Sequence, residues 1–248
     1  MDRKKMNYAE FQQLVKVSKE DICRETFARN RKTIRIKKEK TVVKNLERIF
    51  DATLAISNEK GFQAMSMRDL SRETGLSLGA LYSYFSSKEE LLEMIQGHGR
   101  SITMGILEEF VRVEQEPVEK LRTAIRTHLY LSEAMLPWFY FSYMEAKNLS
   151  RAEREKAIAS ELYTEKIIAD ILAEGEDAGV FRARDHLLAA AVVKAMLQDW
   201  YLKRKKYAKR NIPVDRYAGF VLDFIDAYYL KAEPLHVHAQ RGHPDGVH

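Results

Sequence analysis

The sequence predicts an all-helical fold, and three observations carry that reading. Apolar residues recur at spacings of three and four through most of the 248 positions. Short alternating segments divided by Asn-Gly or Asp-Gly turns are missing. Serines followed three residues later by an acid open several apolar runs, and glycines close them, as helix caps and stops do. Composition agrees: 46% hydrophobic and 31% charged residues, with 5 Pro and 11 Gly, exclude collagen-like, low-complexity and mostly disordered chains. The length suits one large or two modest domains.

The elements follow in order. A weak helical stretch places Tyr8, Phe11, Leu14 and Val15 on one face, and Ser18 with Asp21 has the spacing of a capping box for a further turn or two. This extension reads as a mobile arm. The first clear helix spans about 41–60, with Val42, Leu46, Ile49, Phe50 and Thr53 on one face and Gly61 as its stop. Ser66 and Asp69 cap a short helix over 67–74 that Gly75 ends, and Ser77 caps a second over 78–84. Ser87 and Glu90 start a long helix through Phe110, in which Gly97, Gly99 and Gly105 each weaken the helix by about 1 kcal/mol against Ala and favour a bend. Further helices are predicted over about 117–135, 137–148, 151–178, 185–210 and 214–231. The last two are apolar on most sides. They serve either as central core helices or as a second buried surface, a four-helix homodimer interface formed with their symmetry mates. The tail from Pro234 is polar and reads as flexible.

Charge and special residues narrow the function. Residues 1–45 hold 14 Lys/Arg against 6 Asp/Glu, and within 29–44 there are eight basic residues and one acid, Glu39. That density suits nucleic-acid phosphates, or serves as a solubilising arm. A single cysteine, Cys23, excludes an intrachain disulfide and a cysteine-based zinc site, and the apolar stretch of an export signal is missing from MDRKKMNYAE. A cytoplasmic address is expected. The longest run free of Asp, Glu, Lys and Arg, Thr74 to Ser87, is well short of a membrane span, so no membrane partner is expected. Gly75-Leu-Ser77-Leu-Gly79 matches a serine nucleophile pattern in letters, but a capped helix precedes it where that motif needs a strand, so no enzyme is expected. Neither a P-loop nor a zinc-protease helix motif occurs, and no cofactor or metal is expected. His236, His238 and His243 read as a solvated tail rather than a metal site.

Residues 66–85, SMRDLSRETGLSLGALYSYF, have helix, glycine turn and helix at the spacing of a helix-turn-helix. The second helix of such a unit enters the major groove, so its early side chains Leu78, Gly79 and Ala80 suit close approach to base edges and thymine methyls. Ser66, Ser77, Tyr82 and Tyr84 offer hydroxyls to phosphates, Lys88 adds a charge, and Arg68 can reach a phosphate or a guanine edge. For the two tyrosines, core packing is the competing reading.

Lys60-Gly61-Phe62, Ser66, Arg68-Asp69-Leu70, Gly75-Leu76-Ser77, Gly79, Leu81-Tyr82, Tyr84-Phe85 and Lys88-Glu89-Glu90-Leu91 together resemble the DNA-binding domain of TetR-family transcriptional regulators over residues 41–92. The resemblance implies an all-α homodimer on a double-stranded DNA operator, a C-terminal effector pocket, and usually repression. It maps Ser66, Arg68, Ser77, Leu78, Gly79, Ala80, Tyr82, Tyr84 and Lys88 to DNA-facing positions, with Lys44 as a further phosphate contact. The expected organisation is a basic extension over 1–40, the helix-turn-helix domain over 41–92, a ligand-binding and dimerisation domain over 93–233, and a tail over 234–248. The extension departs from the family's usual short lead.

Residues 128–144, HLYLSEAMLPWFYFSYM, are dense in aromatics and methionine and form either plain core or the wall of an effector pocket. Candidate lining residues are His128, Leu131, Met135, Trp138, Phe139, Tyr143, Met196 and Trp200. The run Lys203-Arg-Lys-Lys206 either opposes a helix dipole or recognises an anion. Gln198 to Arg204 and Val214 to Tyr217 resemble the C-terminal domains of acyl-CoA-responsive members, implying a small hydrophobic effector of which an acyl-CoA is one candidate. A DNA-binding protein without an effector is the alternative, and a serine hydrolase the remote one.

Overall fold

The computed structural model describes residues 6–15, 19–36 and 38–231, without the side chains of 19–22. The expected Ser18 and Asp21 capping box and the histidines of the tail lie outside the described residues. Among those residues the regular structure is helical, apart from one isolated bridge between Phe181 and Leu230. No described helix is long and apolar enough to cross a membrane.

Three helices form a head: α3 (Glu39–Lys60), α4 (Met67–Thr74) and α5 (Leu78–Leu81). Val42, Leu46, Ile49 and Phe50 of α3 are buried with Leu70 of α4 and Leu81 of α5, the apolar stripe that three-and-four spacing creates. Ser66 accepts a hydrogen bond from the Asp69 amide while Asp69 accepts from the Ser66 amide, a complete capping box, and Gly75 adopts φ 64° to end α4. The second short helix stops at Leu81, earlier than the expected 84, because Tyr84 and Phe85 turn inward as core.

The body contains α6 (Lys88–Arg112), α7 (Pro117–Ala134), α8 (Leu136–Glu145), α9 (Arg151–Asp177), α10 (His186–Leu202), α11 (Arg204–Lys209) and α12 (Val214–Tyr229). Helix α7 is central and packs against α6, α9, α10 and α12. The helix expected over 185–210 is broken at Lys203. Asp199 accepts from Lys206 and Tyr207 across the break, and the Tyr207 ring folds back to stack on Trp200 with centroids 5.2 Å apart.

Helix α6 runs unbroken through its three glycines. Gly99 is a notch: a Cβ there would lie 1.8 Å from the Trp138 ring, and the Trp138 indole N–H donates to the Ile95 carbonyl at 3.1 Å. Close approach of α8, rather than bending, explains this glycine.

The N-terminal extension departs from a mobile arm along its described length. In α1 (Tyr8–Leu14), Phe11 is buried against the rings of Phe110 and Tyr130 at 5.7 and 5.4 Å. The Tyr8 amide and the Tyr130 hydroxyl both donate to Asp215 of α12. Helix α2 (Lys19–Arg29) buries Cys23 and Phe27 and packs against α3 and α6, with Thr26 Oγ1 2.6 Å from His98 Nδ1. The extension therefore straps the head to the body, because its apolar stripe has a core to bury against on both.

Candidate functional site

Two features of this fold have functional geometry: an exposed face on the head and a cavity in the body. On the head, Ser77, Leu78, Gly79 and Tyr82 are exposed and Ala80 half-buried, all on or beside α5. A Cβ on Gly79 would meet nothing within 4 Å, so no internal packing requires that glycine. The Ser77 hydroxyl oxygen accepts from the Ala80 amide, capping α5, and its proton stays available to an outside acceptor. Arg68 and Lys44 are exposed.

The basic segment runs beside this face. The Arg35 amide donates to the Ser83 carbonyl just beyond α5, and Ile34 is buried beneath it. Arg31, Lys32, Arg35, Lys38 and Lys40 are left exposed, a cationic ridge flanking the helix-turn-helix.

Three residues expected on the same face are placed differently. Tyr84 is fully buried; its hydroxyl accepts from Asn45 at 2.7 Å, and burial raises its pKa. The Lys88 ammonium turns inward, donating to the carbonyls of Phe62, Gln63 and Met65 at 2.9, 3.2 and 2.7 Å, and lies over the Phe62 ring. Its partial burial lowers its pKa. Ser66 is exposed, but its hydroxyl both accepts from the Asp69 amide and donates to the Asp69 carboxylate. These residues stabilise the head, which sequence spacing does not distinguish from contact with a partner.

In the body a cavity of about 190 Å³ lies between α6, α7, α8, α9 and α10. His128, Trp138, Phe139 and Tyr143 line it as expected from sequence. Leu131 is plain core; Trp200 is buried against Tyr207 and Tyr217. The Met196 carbonyl accepts from Tyr217, outside the lining, and Met135 faces a second, mainly apolar cavity of about 490 Å³ bordered by α3 and the extension. The aromatic run therefore serves as both core and wall, because one face of α8 meets α3 while another meets the cavity.

Sequence reasoning missed the charged part of the lining: Arg100, Arg154, Glu161 and Lys194. Lys194 is 7% exposed, and its Nζ lies 3.0 Å from His128 Nε2. Desolvation lowers the pKa of both, that of Lys194 to about 8 and that of His128 well below its usual value, with the ammonium lowering it further. The arrangement is an ammonium donating to a neutral imidazole. A signal was present, since Lys194 is the lone charge within Leu187 to Leu197. Arg100 pairs with Glu153 at 2.8 Å, and Arg154 donates to the carbonyls of Lys147 and Leu149.

Among described residues, no group of three or more His, Cys, Asp or Glu is placed to hold a metal. The Ser77 hydroxyl is a helix cap, as the sequence context implies.

Comparison with known proteins gives matches over two segments of the chain. The signature of bacterial regulatory proteins of the tetR family matches residues 49–95, and that of a tetracyclin repressor-like C-terminal domain matches residues 114–204. The transcriptional repressor KstR of Mycolicibacterium smegmatis is 31% identical over 147 residues, covering 59% of this chain and 62% of its own. The chain thus spans about three fifths of that relative. The crystal structure of the TetR family regulator PfmR from Thermus thermophilus is 31% identical, with TM-score 0.62, covering 72% of this chain and 95% of that one. The structure of AibR in complex with isovaleryl coenzyme A and operator DNA shares the fold at 19% identity, with TM-score 0.65, covering 73% of this chain and 97% of its own.

Proposed function

The chain belongs to the tetR family of bacterial regulatory proteins, and from that premise we propose that it is a transcriptional repressor, not an enzyme. In this reading a homodimer binds a pseudo-palindromic DNA operator and is released by a small hydrophobic effector, of which an acyl-CoA is one candidate. The observation that carries it is a head whose α5 presents Leu78, Gly79 and Tyr82 to solvent beside a ridge of five exposed cations. Apolar and glycine positions admit close approach to base edges, while Arg31, Lys32, Arg35, Lys38, Lys40, Lys44 and Arg68 supply phosphate contacts. Ser77 and Tyr82 add hydroxyl donors. Of the other positions first considered, Tyr84 and Lys88 support the head from within, and the exposed Ser66 caps α4.

Dimerisation has its own support. Leu187, Leu188 and Val192 of α10 and Phe220, Phe224 and Tyr228 of α12 are each about half or more exposed, from 49% to 71%. An apolar patch of this kind, on two neighbouring chain-terminal helices, suits a twofold four-helix interface. Such a dimer would hold two α5 elements about 34 Å apart, one DNA turn.

The cavity is joined to the head by two routes. Arg100 and Thr103 reach it from α6, which starts at the head, and Trp138, Phe139, Ser142 and Tyr143 reach it from α8. Helix α8 also touches α3 and the turn after it: Asn58 donates to the Pro137 carbonyl at 2.8 Å, the Phe62 amide to Glu145 at 3.1 Å, and the Phe62 and Phe141 rings lie 5.8 Å apart. A ligand that shifts α8 against α6 tilts the heads, and about 1–3 kcal/mol of coupling suffices to change operator affinity 5- to 150-fold. AibR, of similar fold, was solved with isovaleryl coenzyme A, which makes an acyl thioester one candidate.

Selecting bound fragments of the host genome with the purified protein, then titrating them by fluorescence anisotropy at several salt concentrations, tests the reading. Affinity should fall linearly on log-log axes as salt rises, and a small ligand that occupies the cavity should release the fragment. A monomer that binds no duplex even at low salt would sink the proposal.

A further inference from the structure

The cavity in the body holds a charge that its own protein leaves unmatched. Lys194 is almost fully buried and has one described hydrogen-bond partner, the neutral imidazole of His128. It forms no ion pair among the described residues. Glu161 and Glu165 act on it only through space, and the Glu161 carboxylate accepts from Gln198 at 2.7 Å. An ammonium has three N–H donors, so two remain without a described acceptor in a wall that also carries the rings of Trp138, Phe139 and Tyr201. His128 Nδ1 on the same pair is also buried without a partner. Burying an unpaired charge is costly, and such groups are found where a counter-charge is supplied.

Size and sign then define what fits. The lining carries Arg154 and Lys194, and Arg100, which Glu153 already pairs, against one carboxylate, Glu161. Its volume of about 190 Å³ is somewhat above the roughly 150 Å³ of an apolar cavity that takes up benzene. A ring or a short branched chain fills it.

Resting on the reading of this cavity as the effector site, we propose that the effector is a small free carboxylate, one ring or about five carbons in size, whose carboxylate accepts from the Lys194 ammonium. The apolar body lies against Trp138, Phe139 and Tyr201. This differs from a coenzyme A thioester, which brings only a weakly accepting carbonyl to the same point.

The test uses the full-length protein with benzoate and 3-methylbutanoate, each beside its primary amide, and isovaleryl coenzyme A. Binding is read by calorimetry and by the melting temperature. Each acid should bind at least tenfold more tightly than its amide and raise the melting temperature when in large excess over its Kd. Lys194→Met, close to isosteric, should lose that preference. The acid-amide comparison on the unaltered protein stands even if the variant folds poorly. Equal binding of acid and amide, no binding of either acid, or binding of the thioester alone would overturn the carboxylate. The last of these would leave the effector reading intact. Acid binding that depends on Lys194 but leaves operator affinity unchanged would support the carboxylate site and remove the effector reading instead.

Discussion

Lys88 closes the loop between α3 and α4 by donating to three backbone carbonyls, and replacing it leaves them without that partner. Lys88→Ala is expected to cost about 1.5–3 kcal/mol, in the range of hydrogen bonds to charged groups, and thermal melting checks it. An unchanged melting temperature with a shallower salt dependence of DNA binding would instead make it a phosphate contact. Gly79 has the opposite profile. Since a Cβ there meets nothing within 4 Å, Gly79→Ala should fold at least as stably as the parent yet bind the operator more weakly, because the new methyl stands where the groove must approach. Equal affinity in an anisotropy titration would count against that placement of α5. His98 sets a pH dependence. Desolvation, with Arg29 as a lesser cause, lowers its pKa to about 4, whereas an unfolded His titrates near 6.5. The unfolded chain therefore binds the extra proton, so stability is complete above about pH 6.5 and lost as pH falls toward 4. His98→Gln should flatten the melting curve against pH in that window; an unaltered profile would assign the loss elsewhere.

Helices here do more than their amphipathic patterns advertise. Helix α6 starts at the head, passes the cavity and meets α2, α7 and α9, while its Gly99 accepts the Trp138 ring of α8. Gly99→Ala is expected to push α8 away, lowering the melting temperature by several degrees, as overpacking by about 1–3 kcal/mol does in a chain of this length. Because Trp138 also walls the cavity, ligand-induced stabilisation should shrink in the same variant. If the glycine were merely a flexible point in the helix, Ala would raise the melting temperature. The extension shows the same double duty: α1 and α2 bury Phe11, Cys23 and Phe27 while the segment after them exposes the cationic ridge. Deleting it would unfold core as well as remove charge. Neutralising Arg31, Lys32 and Arg35 is the cleaner probe of DNA contact.

At the scale of the whole molecule, the exposed apolar face of α10 and α12 is the surface proposed for assembly. Phe220 and Phe224 are 71% and 56% exposed in the single chain, so Phe220→Glu with Phe224→Glu should leave each fold intact and place charges in the interface. Sedimentation velocity is expected to show a monomer, with operator affinity down by at least tenfold as one head loses its partner. A variant that sediments as the parent does would put the dimer contact on another surface.

The sequence by itself determined most of the helices. Caps, glycine stops and three-and-four spacing act within one or two turns, so the starts of α4 and α6 at Ser66 and Ser87 were legible from a few adjacent residues. The same holds for the bare surface of α5. Only the tertiary structure decided that Tyr84 and Lys88 turn inward, that the extension docks on both parts, and that Lys194 meets His128. That last pair is 66 positions apart, and the indole of Trp138 finds its carbonyl 43 positions away. Whether a polar side chain faces solvent, core or cavity depends on which distant helix packs against it, and local periodicity holds no record of that neighbour.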